Sequence, residues 1–263
     1  MLDACWEGFV TDRVPCSALF DNDTVNVWLT DLEDRSIPPA ALDSILSADE
    51  MERASRFVFE PDAWHFKLCR AMLRVGLALL LGKPAKDIPI KTAAKGKPYL
   101  DGGGIHFNVS HCGGTGLLAF TRAGEIGVDV EVVRPDVEGL EIAAQSFHAH
   151  EIEFIASADD TEEQARRFTR LWTRKEAVLK ATGAGIVDGL NSFDVSAGMH
   201  ATIRSDNASN EAKETTLIVQ DIAIGESIFG AIAGPDSPWM VCQSAVNPGI
   251  ILESALADRP RPI

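Results

Sequence analysis

Positive charge is what this chain most lacks: 24 Lys and Arg stand against 39 Asp and Glu, a formal net charge of −15. A field of that sign repels nucleic acid and attracts no acidic partner from a distance. Nucleic acid is therefore not an expected partner, and any anionic ligand must be held by a local basic cluster. The five cysteines are odd in number and include no CxxC pair. Their pattern argues against a disulfide framework or a Cys-rich zinc site and for a reducing, cytoplasmic setting. No basic head followed by an apolar run opens the chain, where Asp3, Glu7 and Asp12 fall, so no signal peptide is expected. Long apolar runs are missing too. The most apolar helical stretch, 63–81, carries His65, Lys67, Arg70 and Arg74, and its uncharged part, 75–82, is far too short to span a bilayer. A monomer without a membrane partner is expected. Neither GxGxxG nor GxxxxGK[ST] occurs, since Pro98 follows Gly96-Lys97 where a phosphate loop needs a hydroxyl.

What is present is an ordinary globular composition, 46% apolar and 24% charged over 263 residues, enough for one large domain or two smaller halves. Alternating apolar residues predict strands over 24–30, 105–110, 117–120 and 126–133, with Gly113-Gly114 turning a hairpin between the second and third. Further strands are expected over 193–195, 216–224, 228–233 and 239–245. Helices are predicted over 42–58, with Ser47 and Glu50 as a capping box, and from Asp62 to Gly82, with Pro84 beyond. Two more follow over 138–155 and 161–182, the last closed by Gly183 and Gly185. Strands and helices cluster instead of alternating, which favours an α+β fold. Phe66, Arg70 and Arg74 repeat the four-residue spacing of Phe168, Trp172 and Glu176. That spacing hints at two similar halves, 1–124 and 125–247, followed by an irregular tail, 248–263.

The stretch 168–180 reads as an amphipathic helix on which the row Phe168, Trp172, Glu176, Lys180 starts in a core and ends in a carboxylate and an ammonium. A Glu on the buried side needs a cation, a metal or a proton; the alternative is a plain Glu–Lys surface pair. In Gly127-Val-Asp129-Val-Glu131 the strand period puts both carboxylates on one face, where they repel unless a cation lies between them. Mg²⁺ suits such a pair because it binds one or two carboxylates plus waters and phosphates. A solvated acidic strand face is the other reading. Glu176 would supply a third carboxylate. Ser110, His111 and the glycine amides after Cys112 offer short donors for phosphate oxygens. A nucleophilic role for Ser110 or Cys112 is set aside, because neighbours on a strand point to opposite faces and no elbow motif surrounds them. Lys97, the pair Arg53 and Arg56 beside Phe57, and the row Arg166, Arg170, Arg174 read by themselves as solvated charges.

Taken in chain order, Ser47…Glu50…Arg53…Arg56-Phe57, Gly96-Lys-Pro98, Phe107-Asn-Val-Ser-His111, Gly127-Val-Asp-Val-Glu131, Phe147…Glu151 and Trp172-Thr-Arg-Lys-Glu-Ala177 through Lys180 resemble the Sfp-type 4′-phosphopantetheinyl transferases. The resemblance covers about residues 24–200. It implies an α+β fold of two similar halves about a pseudo-twofold axis. It also implies Mg²⁺-dependent transfer of phosphopantetheine from coenzyme A to a serine of an apo acyl or peptidyl carrier protein, releasing 3′,5′-ADP. By position it makes Asp129, Glu131 and Glu176 metal ligands. Arg53, Lys97, Ser110 and His111 become contacts to the adenosine and its phosphates, Lys180 the contact to the pyrophosphate, and Glu176 the general base. Glu50 and Phe66 fall where some members place a basic and a hydroxyl contact to the 3′-phosphate. The competing readings are a metal-dependent nuclease or phosphodiesterase, which the net charge opposes, and a catalytically silent protein that binds coenzyme A or a carrier.

Overall fold

The computed structural model describes residues 22–183, 189–196, 198–206, 212–237 and 239–257. The chain runs β1 (Thr24–Asp31), α1 (Pro39–Asp43), α2 (Ala48–Ala54), α3 (Glu60–Leu81), β2 (Ile90–Thr92), β3 (Pro98–Leu100), β4 (His106–Cys112), β5 (Thr115–Thr121) and β6 (Gly127–Val132). It continues through α4 (Gly139–Ser146), α5 (Ala149–Ala156), α6 (Thr161–Thr182), β7 (His200–Asp206), β8 (Ala212–Gly225), β9 (Ile228–Pro235), β10 (Met240–Val246) and α7 (Pro248–Ala257). The fold is α+β. Two four-stranded sheets, ordered β10-β1-β5-β4 and β6-β9-β8-β7, are accompanied by the small β2-β3 hairpin.

Strand alternation decides which side chains meet. Val25, Val27, Leu29, Leu117 and Ala119 from the first sheet share one apolar cluster with Val128, Val130, Ile222 and Ile232 from the second. Their neighbours Trp28, Leu118 and Phe120 turn the other way, into a cluster built on α3. On the second sheet, Ala231 and Ala233 join Ala177, Val178 and Leu179 of α6. The sheets thus face each other, with the two 22-residue helices α3 and α6 on their outer sides. Because Val128 and Val130 face the first sheet, Asp129 is left on the α6 side. The edges β4 and β6 meet where Val128 N–H donates to the Asn108 side chain over 2.9 Å.

Several expectations are corrected. Residues 248–257, expected to be irregular, form α7, and Ile251 and Leu252 pack into the α3 cluster. The strand before it, β10, returns to pair in parallel with β1. A periodicity reading cannot see either pairing, since both are set by partners more than 150 residues away in sequence. The helix expected over 42–58 is two short ones, because Ser47 accepts from Glu50 N–H while Glu50 accepts from Ser47 N–H, starting α2 afresh. The helix expected over 138–155 breaks at Phe147-His148 for the same reason, Glu151 accepting from His148 N–H. Asp62 lies within the first turn of α3, whose N-cap is Phe59. Residues 193–195 are not a strand: their backbone groups bond the Lys175 ammonium and the Glu151 carboxylate instead of a ladder. Strand β7 was not anticipated. Gly183 closes α6 in the left-handed region, while Gly185 lies outside the described residues. The row Arg166, Arg170, Arg174 is not a solvated face, since Arg174 is buried and it and Arg170 both bond Asp221.

A Cβ on Gly127 would stand 2.1 Å from Ala177 O and 2.3 Å from Ala181 N, so backbone touches backbone where α6 crosses β6. Gly127→Ala should lower stability by about 3 kcal/mol, the upper end of overpacking costs, read from the urea midpoint; an unchanged midpoint would refute the contact. Glu125, in the β5–β6 connection, bonds His106 Nδ1 at 2.8 Å and Lys97 Nζ at 2.6 Å. The bond from His106, then that from Lys97, holds its carboxyl down at about 2. A depressed carboxyl stabilises the fold above its unfolded value and loses that contribution as pH falls through the folded one. Glu125→Gln should therefore flatten the acid-unfolding curve between the ordinary carboxylate range and about pH 2. The Glu125 side chain is 61% exposed, so the effect should be below about 1 kcal/mol. Identical acid curves for the two proteins would rule it out.

Candidate active site

The site forms where α6 lies on β6 beside the end of β4. Asp129 is 3% exposed, and its Oδ1 accepts from Lys180 Nζ at 2.6 Å and Ser110 Oγ at 2.8 Å. Lys180 also donates to Ser110 Oγ at 2.9 Å. One ammonium and one hydroxyl thus serve a single carboxylate oxygen. Asp129 Oδ2 and Glu176 Oε1 are buried and have no hydrogen-bond partner among the described residues. Buried polar atoms in this state cost free energy unless something absent from the chain satisfies them.

The electrostatics agree with that reading. Burial lifts the Asp129 carboxyl above its usual range although Lys180 pulls it down. Burial also lifts Glu176, with Asp129 and then Glu131 pushing the same way. Glu131 is lifted by burial and by Asp129, against a hydrogen bond from the Cys112 thiol. All three therefore carry negative charge at a cost in the bare chain. Beside them, burial lowers the His111 imidazole, with His65 and Lys180 adding like-charge repulsion.

Asp129, Glu131 and Glu176 fit a divalent cation on the ground of their two orphaned oxygens and their mutual repulsion. They do not form a closed cage. Among the described residues, the group of three ligand side chains whose atoms lie within 4.8 Å of one another is His148, His150 and Asp194, elsewhere in the fold. An open carboxylate set suits Mg²⁺, which keeps waters and ligand phosphates in its shell.

The structure brings together Ser110, Asp129 and Lys180 by direct bonds, and Glu131, Glu176 and His111 by electrostatic contact. Lys97 and Arg53 stand apart from these bonds. Lys97 is no exposed loop lysine: it donates to Glu125, Ile126 O and Ala181 O, so it ties the β2–β3 hairpin to β6 and the end of α6. Arg53 lies 5.2 Å over the Phe66 ring and lines an open groove with Asp49, Glu52, Arg56 and Phe57. Glu50 is occupied structurally, buried in its capping box and paired with Arg70 and Arg74. Sequence reasoning missed Cys112 as the partner of Glu131, and Asn108 as the clasp between the two sheets. The Asn and Ser of Phe107-Asn-Val-Ser110 lie two apart, and that period was a usable signal for Asn108. A narrow cleft of about 180 Å³ opens beside Glu131, walled by Val132, Arg134, Ile142, Phe168 and Trp172.

The profile of the 4′-phosphopantetheinyl transferase superfamily matches residues 125–225, and that of the 4′-phosphopantetheinyl transferase N-terminal region matches 40–122. The chain is 35% identical over 169 residues to the 4′-phosphopantetheinyl transferase HetI of Nostoc, covering 63% of this chain and 71% of that protein. It is 33% identical over 153 residues to the 4′-phosphopantetheinyl transferase Sfp of Bacillus subtilis, 58% and 66% of the two chains. With the mouse L-aminoadipate-semialdehyde dehydrogenase-phosphopantetheinyl transferase it shares 32% identity over 182 residues, 64% and 55%. The chain belongs to the 4′-phosphopantetheinyl transferase superfamily.

The strain in the carboxylate set is measurable without substrate. Glu176→Gln removes one of three repelling charges, so in chelator at pH 8 it should stabilise the protein. The group is partly solvent-screened, so the gain should be on the order of 1 kcal/mol or less. A carboxyl raised in the fold leaves stability intact below its unfolded value and withdraws it as pH rises through the folded one. The advantage of the variant should accordingly vanish near pH 4. A urea midpoint at pH 8 equal to or below that of the wild type would show that Glu176 carries no strain.

Proposed function

We propose that the chain transfers 4′-phosphopantetheine from coenzyme A to a serine of an apo acyl or peptidyl carrier protein, with Mg²⁺ and release of 3′,5′-ADP. The observation that carries the proposal is the pair of buried, unpartnered oxygens on Asp129 and Glu176 next to the Lys180 ammonium. Asp129, Glu131 and Glu176 would hold the ion, which supplies positive charge to the pyrophosphate. The carrier serine oxygen attacks the β-phosphorus, a new P–O bond forms, and the bond to the bridging oxygen breaks. Glu176 accepts the serine proton, a role that a carboxyl lifted by burial suits better than an ordinary one. Lys180 stabilises the departing phosphate charge. Ser110 and His111 bind phosphate oxygens, and Arg53 and Lys97 hold the adenosine end, where Lys97 would first have to leave Glu125.

No helix among the described residues is long and apolar enough to cross a membrane. The reading places the enzyme in the cytoplasm as a monomer, with coenzyme A and the carrier as partners and neither nucleic acid nor membrane. A nuclease would need the positive field that a net charge of −15 denies. A silent binding protein has no use for three costly carboxylates.

Incubation with coenzyme A, Mg²⁺ and a panel of apo carriers from fatty-acid, polyketide, peptide-synthetase and lysine pathways should add one phosphopantetheine mass to at least one carrier. In that assay Glu176→Gln should lower kcat by about 10²–10⁴-fold, the usual contribution of a positioned base, with only partial rescue by excess Mg²⁺. Near-normal kcat at ordinary Mg²⁺ would remove Glu176 from catalysis, and full wild-type activity in excess chelator would end the metal assignment.

A further inference from the structure

The N-terminus of α5 carries a second cluster of ligand-type side chains, separate from the acidic site. His148 is the N-cap of α5, and His150 follows in its first turn. Both imidazoles turn their Nδ1 atoms to one oxygen of Asp194: His150 Nδ1 lies 3.3 Å and His148 Nδ1 3.9 Å from Oδ2. All three ligand atoms fall within 4.8 Å of one another. A tetrahedral zinc ion with bonds of about 2.0–2.1 Å sets its ligands roughly 3.3 Å apart. The observed spacings need only a small inward turn of side chains that are partly exposed.

The cluster is also held from behind, as a metal site requires. The other oxygen of Asp194 accepts from Ser196 N–H at 2.8 Å and Ser196 Oγ at 2.6 Å, which leaves Oδ2 directed at the imidazoles. The segment around Asp194 is fixed on both sides. The buried Lys175 ammonium donates to Leu190 O and Phe193 O, and Glu151 Oε1 accepts from Val195 N–H. Glu151 also accepts from His148 N–H through its other oxygen, so a single buried carboxylate positions both arms of the cluster.

We propose that His148, His150 and Asp194 bind a divalent transition-metal ion of the zinc type, which staples the 193–196 segment to the start of α5. Two imidazole nitrogens and one carboxylate oxygen are a donor set that zinc accepts and Mg²⁺ does not favour. A fourth position is open to water, because the His150 side chain is 71% exposed. Two features limit the affinity. The positive end of the α5 dipole opposes a cation, and His148 Nδ1 must give up a long 3.4 Å contact from His150 N–H. The negative charge of Asp194 works against both, so the site binds in the micromolar range. The ion takes no part in phosphopantetheine transfer: Lys175, the neighbour of Glu176, faces the 190–193 carbonyls, while Glu176 faces the acidic cluster.

The test is calorimetric titration of untagged protein with Zn²⁺ in millimolar Mg²⁺, with Asp129→Asn as the control for any Zn²⁺ taken up by the acidic site. Wild type should take up one Zn²⁺ with micromolar affinity. Co²⁺ in place of Zn²⁺ should give the visible absorption of a low-coordinate nitrogen–oxygen site. His148→Ala/His150→Ala should weaken Zn²⁺ binding by at least about a hundredfold, beyond what loss of an outer-shell partner causes. Asp194→Asn, which keeps shape and fold, should weaken it at least about tenfold. Saturating Zn²⁺ should raise the melting temperature of wild type by a few degrees and that of the His148, His150 and Asp194 variants by none. Phosphopantetheine transfer in Mg²⁺ alone should be the same in wild type and in those variants. No Zn²⁺ uptake by wild type at tens of micromolar, or unchanged affinity in Asp194→Asn, would overturn the site. Unaltered transfer beside that result would leave the proposed enzymatic function standing.

Discussion

Everything in the candidate site depends on how closely α6 lies on β6. At Gly127 the strand carries no side chain, and the backbone of Ala177 and Ala181 fills the space a Cβ would need. Only at that separation does Lys180 reach Asp129 Oδ1 over 2.6 Å, and only there are the carboxyls of Asp129 and Glu176 forced to repel each other. The glycine does no chemistry itself. It sets the distance that makes the chemistry possible, and the rest of the fold works to keep that distance.

Three buried or half-buried polar arrangements do the keeping. Lys175, fully buried on α6 with Glu151, ties the helix to α5 and to the 190–195 segment. Arg174, a residue earlier, bonds Asp221 on β8 and Val195 O. Lys97 grips the carbonyls of Ile126 and Ala181, at the start of β6 and the end of α6. Such pairs add little net stability, since desolvation cancels most of the attraction, but breaking one leaves a buried charge uncompensated. Their value here is in fixing geometry: α6 is held by directional bonds along its second half, where Glu176 and Lys180 project. The return of β10 to β1 and the docking of α7 on α3 brace the other sheet, which supplies Ser110 and His111.

How much of this was legible before the structure follows from the range of each force. The span of α6 was readable almost to the residue because its apolar period is long and Gly183 stops it. The shared face of Asp129 and Glu131 follows from strand period alone, and the Ser47–Glu50 box from a four-residue pattern. Each of these is a local rule. The pairing of β10 with β1, the burial of Arg174 and Lys175 and the three acceptors of Lys97 depend on partners distant in sequence. A charged residue on a helix looks the same in sequence whether it meets solvent or a buried carboxylate. Glu50 shows the reverse error: compared by position with ligand contacts, it reads as a departure, yet its carboxylate is consumed by Arg70, Arg74 and its own cap.

Charge also constrains the order in which the proposed reaction can be assembled. Three carboxylates and one ammonium make the bare site doubly negative when all are ionised, inside a protein that is itself strongly acidic. A pyrophosphate entering first would meet repulsion at short range and in the overall field. A divalent ion alone would only neutralise the set, and with few protein ligands it would stay weakly held. Arriving together, each would remove the obstacle to the other: Asp129, Glu131 and Glu176 would hold the ion, whose charge would offset theirs and that of the phosphates. Lys180, which occupies Asp129 Oδ1 in the bare chain, would then be surplus to that carboxylate and available to the phosphate it is proposed to stabilise. On that reading, the lysine that pairs with Asp129 in the bare chain is the group the proposed reaction would free for the phosphate.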